Sequence, residues 1–469
     1  MAHSDAAVAA VAETASLGGV RVVNTDPQKL IATSPMSRMQ VIAVAMTVML
    51  NALDGFDVLS ISFASPGIAE EWGIDRAALG LVLAMELIGM AIGSMVLGRV
   101  ADTVGRRKTM LLCLAIMVVG MFMVTTVSTI AGLSVWRVIT GLGIGGMLAS
   151  INAVAAEFSS ARRKHLSVSL MTIGYPIGAV IGGTIAAQLL KTYDWRSVFY
   201  LGTAMTALSI PLVYFLIPES VHWLAHKRPE GALEKINHTL ERMGHAALDA
   251  LPHFEEEHRR SLAGIFSPAL LATTIIVTLG YFLHITTFYF LIKWIPKIAV
   301  DMGFPTAQAV GVLVWANVGG ALGGAVLGVL TLRYNVKTLT IGVLLLSTVM
   351  VTIFGRSSAD LGTLSFVAVT AGFCTNAGIV GLYALFAHSY PTHVRASGTG
   401  FSIGIGRGGA MLAPILAGFL FEAGISIPMV AMIMALGSLA AAGALAFLKL
   451  APDEHLEPAE LDEEVPREV

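Results

Sequence analysis

The sequence predicts an all-α membrane protein with twelve transmembrane helices in two pseudo-symmetric six-helix halves. Three observations carry this. Hydrophobic residues make up 55% of the 469 positions and charged residues only 13%, with a mean hydropathy of +0.77; an average soluble domain carries roughly 25% charged residues. Charge-free apolar stretches recur at 109–136, 166–190, 302–332, 361–387 and 423–448, and a membrane helix needs about 20 such residues. One long polar stretch, Pro218–Pro268, divides the pattern in two. The same composition excludes a soluble enzyme and a disordered chain. A net charge of −2 removes any bulk case for nucleic-acid binding. Cys113 and Cys374 lie in apolar runs without metal-ligand spacing, so neither a disulfide framework nor a metal site is expected.

Residues 1–38 lack a basic-then-apolar signal pattern and read as a cytoplasmic tail. Splitting at Gly, Pro and charge clusters gives a first half, 39–217, with spans at 39–64, 77–98, 109–128, 132–156, 166–190 and 197–217. A central cytoplasmic loop, 218–268, follows. The second half, 269–449, has spans at 269–292, 307–332, 338–355, 361–388, 397–420 and 424–449, and an acidic cytoplasmic tail covers 450–469. With the N-terminus inside, the inner segments hold 21 Lys and Arg and the outer segments 6. Positive charge concentrates on the cytoplasmic side, so both termini are expected there. An odd number of spans would spoil that bias.

The halves echo each other. Gly98-Arg-Val-Ala-Asp102-Thr-Val-Gly105-Arg106-Arg107 matches the weaker Gly328-Val-Leu-Thr-Leu332-Arg333-Tyr-Asn-Val-Lys337 at an offset of 230, and Arg162 matches Arg395 at 233. Two facing six-helix halves are a usual setting for a substrate site near mid-membrane.

A charge at helix depth costs roughly 3 kcal/mol or more unless paired or hydrated, so the few such residues are the first candidates for function. Asp54 and Asp57 share one face of the first span. Asp57 and Arg137 stand at comparable depth, roughly 10 and 8 Å inside the boundary. A movable Arg beside an acid can switch it between holding and releasing a proton; the alternative is a permanent bridge. Arg407, in Gly404-Ile-Gly406-Arg407-Gly408-Gly409, offers a planar fork matching a carboxylate; the alternative is pairing with Glu86 at similar depth. His284 has Tyr281, Phe282, Phe288 and Tyr289 around it and reads equally as a ligand contact or as a tie to a neighbouring helix. Lys293 reads as an anchor at the outer end of the seventh span, reaching toward the headgroups, with guidance of anions as the alternative. Tyr383 and His388 are weaker candidates. Asn317 and Asn376 suit hydrogen bonds between helices. The runs Gly141–Gly146 and Gly319–Gly324 lack a Gly-Lys-Ser/Thr ending and lie in apolar helices, which points to tight helix contact rather than phosphate binding. No ATPase motif and no cofactor motif is present, leaving an ion gradient or the substrate's own gradient as energy source.

These motifs in this order resemble the major facilitator superfamily over nearly the whole chain. Gly98–Lys108 is similar to its Gly-x-x-x-Asp-x-x-Gly-Arg-Arg/Lys loop, Arg137–Gly146 to its fourth-helix signature, and Pro218-Glu219-Ser220-Val-His222-Trp223-Leu224 to its Pro-Glu-Ser-x-Arg-Trp-Leu, with His222 in place of Arg. Asp54-Gly55-Phe56-Asp57 is similar to the signature of the aromatic acid/proton symporters, the hydroxybenzoate and protocatechuate type. Tyr289–Pro296 and Tyr390-Pro391-Thr392-x-x-Arg395-x-x-Gly398-x-Gly400 fit that subfamily as well. The resemblance implies the major-facilitator fold, with the first and fourth spans lining a central cavity. It also implies a gate latch from Gly98, Asp102, Gly105, Arg106 and Arg107. It further implies proton-coupled import of a small aromatic carboxylate by alternating access, in the inner membrane, by a monomeric non-enzyme. Asp54, Asp57 and Arg137 would couple the proton; Arg407, His284, Tyr383 and Glu86 would bind substrate. A drug exporter is the competing expectation, although Pro176 is displaced from its position in the exporter motif. A sugar or other organic-anion symporter is another, and a non-transporting membrane sensor comes last.

Overall fold

The computed structural model describes residues 26–252, 262–357, 360–391 and 394–449. The tail residues 1–25 and 450–469, and 253–261 of the central loop, lie outside the described residues. Twelve of the described helices are long and apolar enough to cross a membrane, and no strand occurs among the described residues. We label them α1 (Arg38–Trp72), α2 (Arg76–Val104), α3 (Arg106–Val124), α4 (Ile130–Glu157), α5 (Lys164–Leu189), α6 (Arg196–Leu216), α7 (Leu271–Asp301), α8 (Thr306–Leu330), α9 (Val336–Phe354), α10 (Leu361–Ser389), α11 (Arg395–Glu422) and α12 (Ile427–Ala446). Short helices Val221–Lys227 and Ala232–Arg242 follow α6. Local sequence starts several of them: Thr129, Asn335 and Asp360 accept from the Gly132, Thr338 and Thr363 backbone N–H groups, supplying partners that helix starts otherwise lack. The backbone and hydroxyl donors of Thr363 hold the Asp360 carboxyl below the usual carboxylate range.

Three helices run well past the expected end. The first span was expected to stop at 64, the second at 98 and the seventh at 292, yet α1 runs through Pro66 to Trp72, α2 through Gly98 to Val104 and α7 through Pro296 to Asp301. Proline removes the hydrogen bond to the carbonyl four residues back. At Pro66 that carbonyl belongs to Ser62, and the Ser65 hydroxyl donates to it at 2.9 Å. In α5, Pro176 frees the Thr172 carbonyl, which Asn51 of α1 reaches at 3.4 Å while bonding Met171 O at 2.7 Å. An apolar helix whose orphan carbonyl has a donor continues.

The chain divides into two packed units. The first comprises the described residues of Met1–Ser60, Ile88–Gly182 and Arg196–His258; the second those of Ile61–Leu87, Gly183–Trp195 and Arg259–Val469. In the first, glycine lets backbones touch: a Cβ on Gly174 or Gly178 of α5 would strike the Val48 or Ala52 carbonyl of α1, and one on Gly55 would strike the Tyr175 carbonyl. In the second, Gly319 and Gly323 of α8 sit against the Val369 and Phe373 carbonyls of α10. The glycine runs are thus contact surfaces between helices. Asn376 ties α10 to the Gly320 carbonyl of α8 at 2.6 Å, whereas Asn317, expected to bridge helices, bonds Leu313 O of its own helix at 2.9 Å.

Candidate functional site

In the first unit Arg137, Asp57 and Asp54 are all buried, at 0, 0 and 2% exposure. The longer α1 places Asp57 roughly 22 Å of helix rise from its end at Trp72. The structure brings Asp57 and Arg137 together through the backbone: Arg137 Nη2 donates to the Asp57 carbonyl at 3.2 Å. Its Nη1 lies 3.4 Å from Met121 Sδ, and the guanidinium sits 5.5 Å from the Phe199 ring centre. The Asp57 carboxylate faces α6, where a Cβ built on Gly202 would lie 3.2 Å from Oδ1. That glycine leaves room for the acid.

The loop motif and the motif after α6 form one network in the same unit. Gly105 has φ 115° and Glu219 fills the space beside it, so a side chain there would meet both strain and clash. Glu219 Oε1 accepts from the Arg106 and Arg107 backbone N–H groups at 2.7 and 3.2 Å, a carboxylate at the positive start of α3. Arg106 bonds Asp102 at 2.6 Å and lies 3.7 Å from Glu157, which accepts the Ser220 hydroxyl. Arg107 donates to the Tyr214 carbonyl, and Trp223 Nε1 donates to Asp102 O at 3.1 Å. Gly98 lines a groove of about 330 Å³ with Asp102 and Arg106. In the second copy, Lys337 instead donates to the Ala446 and Leu448 carbonyls at the end of α12.

The remaining candidates lie in the second unit. Arg407 is half-buried on α11, and Gly406 beside it leaves the space that the Tyr281 ring of α7 occupies. Tyr281 and Tyr383 share a hydrogen bond of 3.1 Å, with ring centres 5.7 Å apart. Tyr383 is exposed, as is His388, whose Nδ1 accompanies the Ala384 carbonyl at 2.8 Å. A cation bordered by phenol rings can hold an anion attached to an aromatic ring.

Two expectations change here. Lys293 is not an exposed anchor: because α7 continues to Asp301, Lys293 is 0% exposed and its Nζ lies 3.5 Å from Glu86 Oε2, itself 0% exposed. His284 has both ring nitrogens on neighbouring helices, Nδ1 at 2.9 Å from Ser438 Oγ of α12 and Nε2 at 2.8 Å from Thr375 O of α10. The carbonyl accepts, so Nε2 donates and Nδ1 receives the Ser438 hydroxyl. This arrangement leaves no ring nitrogen for a ligand.

Sequence reasoning missed the Glu86–Lys293 pair and the role of Glu219. A signal for the first existed: Lys293, Lys297 and Asp301 follow at four-residue spacing along α7 and so share one face. Their partner on α2 left no comparable mark.

A family model described as "Major Facilitator Superfamily" matches residues 47–355 and 277–468. The chain is 28% identical to the gallate transporter of Pseudomonas putida, over 90% of this chain and 94% of that protein. It is 32% identical to a 4-hydroxybenzoate transporter, PcaK, of the same species, over 82% and 87% of the two chains. A crystal structure of a D-xylose–proton symporter superposes with a TM-score of 0.66 at 17% identity, covering 87% of this chain and 98% of that one. That likeness concerns the fold alone.

Proposed function

The chain belongs to the major facilitator superfamily of membrane transporters, and from that premise we propose that it imports a small aromatic carboxylate together with protons by alternating access. One observation carries the substrate class: Arg407, the cation that forks toward a carboxylate, follows Gly406, against which the Tyr281 ring packs, and Tyr281 bonds Tyr383. Relatives named as gallate and 4-hydroxybenzoate transporters support the same class. Arg407 binds the acid's carboxylate and Tyr383 its ring, with Glu86 at the edge of the same cluster.

Asp54, Asp57 and Arg137 couple the proton. A shift of Arg137 away from α1 accompanies the loading of a proton, and its return accompanies release. Gly98, Asp102, Gly105, Arg106 and Arg107 act as a latch on the cytoplasmic side. The excess of Lys and Arg on inner segments supports an inner (plasma) membrane protein with both termini in the cytoplasm. The chain works as a monomer in the bilayer, needs no cofactor and draws on the proton gradient.

The deciding experiment is uptake of labelled benzoates, phenylpropanoids and aliphatic acids into energised vesicles, with and without an uncoupler. Accumulation of a benzoate that the uncoupler abolishes is the expected result. Uptake of aliphatic acids alone, or accumulation indifferent to the uncoupler, would overturn the reading.

A further inference from the structure

In the second unit, Tyr281 of α7 and Tyr383 and Phe386 of α10 form a triangle of rings with centres 5.7, 5.6 and 6.1 Å apart. Packing fixes two of the three. Phe386 is 0% exposed and Tyr281 4%. The Tyr281 ring takes the space a Cβ on Gly406 would need, its nearest carbon lying 2.0 Å from that position. Tyr281 is thus held against the backbone of α11 one residue before Arg407. Tyr383 differs, being 42% exposed. Its hydroxyl lies 3.1 Å from that of Tyr281, so its exposed part borders the space beside the buried phenol's oxygen. α10 has α7, α8, α9 and α11 around it, which places that space among the helices of this unit.

Two apolar rings would pack α7 on α10 equally well. Hydroxyls in an apolar cluster are costly unless each has a partner, and here they partner each other. A phenol donates one O–H and accepts through its oxygen. The pair therefore holds two O–H groups, of which the bond between them uses one. The other can donate, and both oxygens keep room to accept.

We propose that the Tyr281–Tyr383 pair reads a hydroxyl group on the ring of the transported acid. The inference rests on the aromatic-carboxylate reading above and adds to it the determinant of ring substitution. With the carboxylate on Arg407, the ring comes to Tyr383, and its hydroxyl joins the phenol pair. A ring hydroxyl suits the pair because it can accept the spare O–H or donate its own, whereas a second carboxylate could only accept.

The mutual bond also sets how selective the pair is. A site that leaves its own polar groups orphaned rejects an analogue lacking the hydroxyl by several orders of magnitude. Here the analogue leaves the two phenols bonded to each other, so only the net value of one hydrogen bond is lost, about tenfold or less. Benzoate is therefore accepted, but less well than its hydroxylated relative. In 2-hydroxybenzoate the hydroxyl is bonded to its own carboxylate and is not on offer.

Competition in energised vesicles carrying the full-length chain tests this. Uptake of labelled 4-hydroxybenzoate at neutral pH is inhibited by unlabelled 4-hydroxybenzoate, 2-hydroxybenzoate or benzoate. In wild type, 4-hydroxybenzoate should half-inhibit at a concentration about five- to tenfold below that of benzoate, and 2-hydroxybenzoate should resemble benzoate. Tyr281→Phe/Tyr383→Phe removes two oxygens, adds no atom and orphans no hydroxyl, and it should bring that ratio to about one. Should the variant not transport, displacement of the label from the purified chain gives the same ratio. A mere tie between α7 and α10 would weaken both acids alike. A double variant with the wild-type ratio, or wild type that does not rank 4-hydroxybenzoate above the other two, would overturn the hydroxyl reader and leave the aromatic-acid reading standing. No saturable uptake or binding of any of the three by wild type would overturn both.

Discussion

The two units hold their charges differently. In the first, charged side chains mostly grip the backbone: Arg137 the Asp57 carbonyl, Glu219 the N–H groups at the start of α3, and Arg107 the Tyr214 carbonyl. In the second, Arg76 and Lys297 meet Asp301 and Glu86 meets Lys293, while Lys337 and Arg395 donate to backbone carbonyls. A backbone partner stays where its helix puts it, so only the charged side chain on it can turn away. A side-chain partner can turn away and be replaced by a ligand of like chemistry. In the first unit one partner of each such contact is thus fixed and the other can move, while in the second both can.

Substitutions can break or sharpen that contrast. The largest effect is expected of Asp57→Asn: no accumulation above equilibrium in energised vesicles, while counterflow exchange persists. Full uphill accumulation by this variant would remove Asp57 from coupling. One swap, Arg to Lys, then probes both units. Arg137→Lys forfeits a charged hydrogen bond in a buried setting, and thermal unfolding in detergent should show a loss of about 2 kcal/mol. Arg407→Lys should leave unfolding nearly unchanged and raise the half-saturation for the acid about tenfold, some 1.4 kcal/mol. If the two variants behave alike, the contrast fails. Glu219→Gln weakens the start of α3 and should cost about 1 kcal/mol in the same unfolding assay. Smallest in stability is Asp102→Asn, since its exposed pair with Arg106 is worth about 0.5 kcal/mol or less. A fall in uptake rate at unchanged stability would be the mark of a latch; unchanged uptake would remove the latch.

Much of the fold was legible because membrane helices announce themselves by apolar length, and α4, α5 and α6 begin and end within a few residues of expectation. Pro66 and Pro296 misled because proline marks a possible break, and whether a helix breaks depends on donors such as Ser65 that pattern alone does not single out. The site was legible one residue at a time. Asp57, Arg137 and Arg407 stand out as charges inside apolar runs, and depth alone suggests that Asp57 and Arg137 meet. The partner of Glu86 was hidden by the seventh span ending too soon in the sequence reading, which put Lys293 at the membrane edge. His284 gave equal signals for a ligand and for a helix tie, and only the placement of Thr375 and Ser438 separates the two.

Trp294 follows Lys293 and is itself 1% exposed, its Nε1 donating to the Pro414 carbonyl of α11 at 3.3 Å and its ring 4.9 Å from that of Phe421. A dry indole with its N–H on a carbonyl fluoresces at shorter wavelength than one in water. Parting α7 from α11 would wet that ring and shift its emission to the red. Of the six tryptophans this one therefore gauges the contact of α7 with α11 without a label, and the difference between wild type and Trp294→Phe isolates its share of the emission.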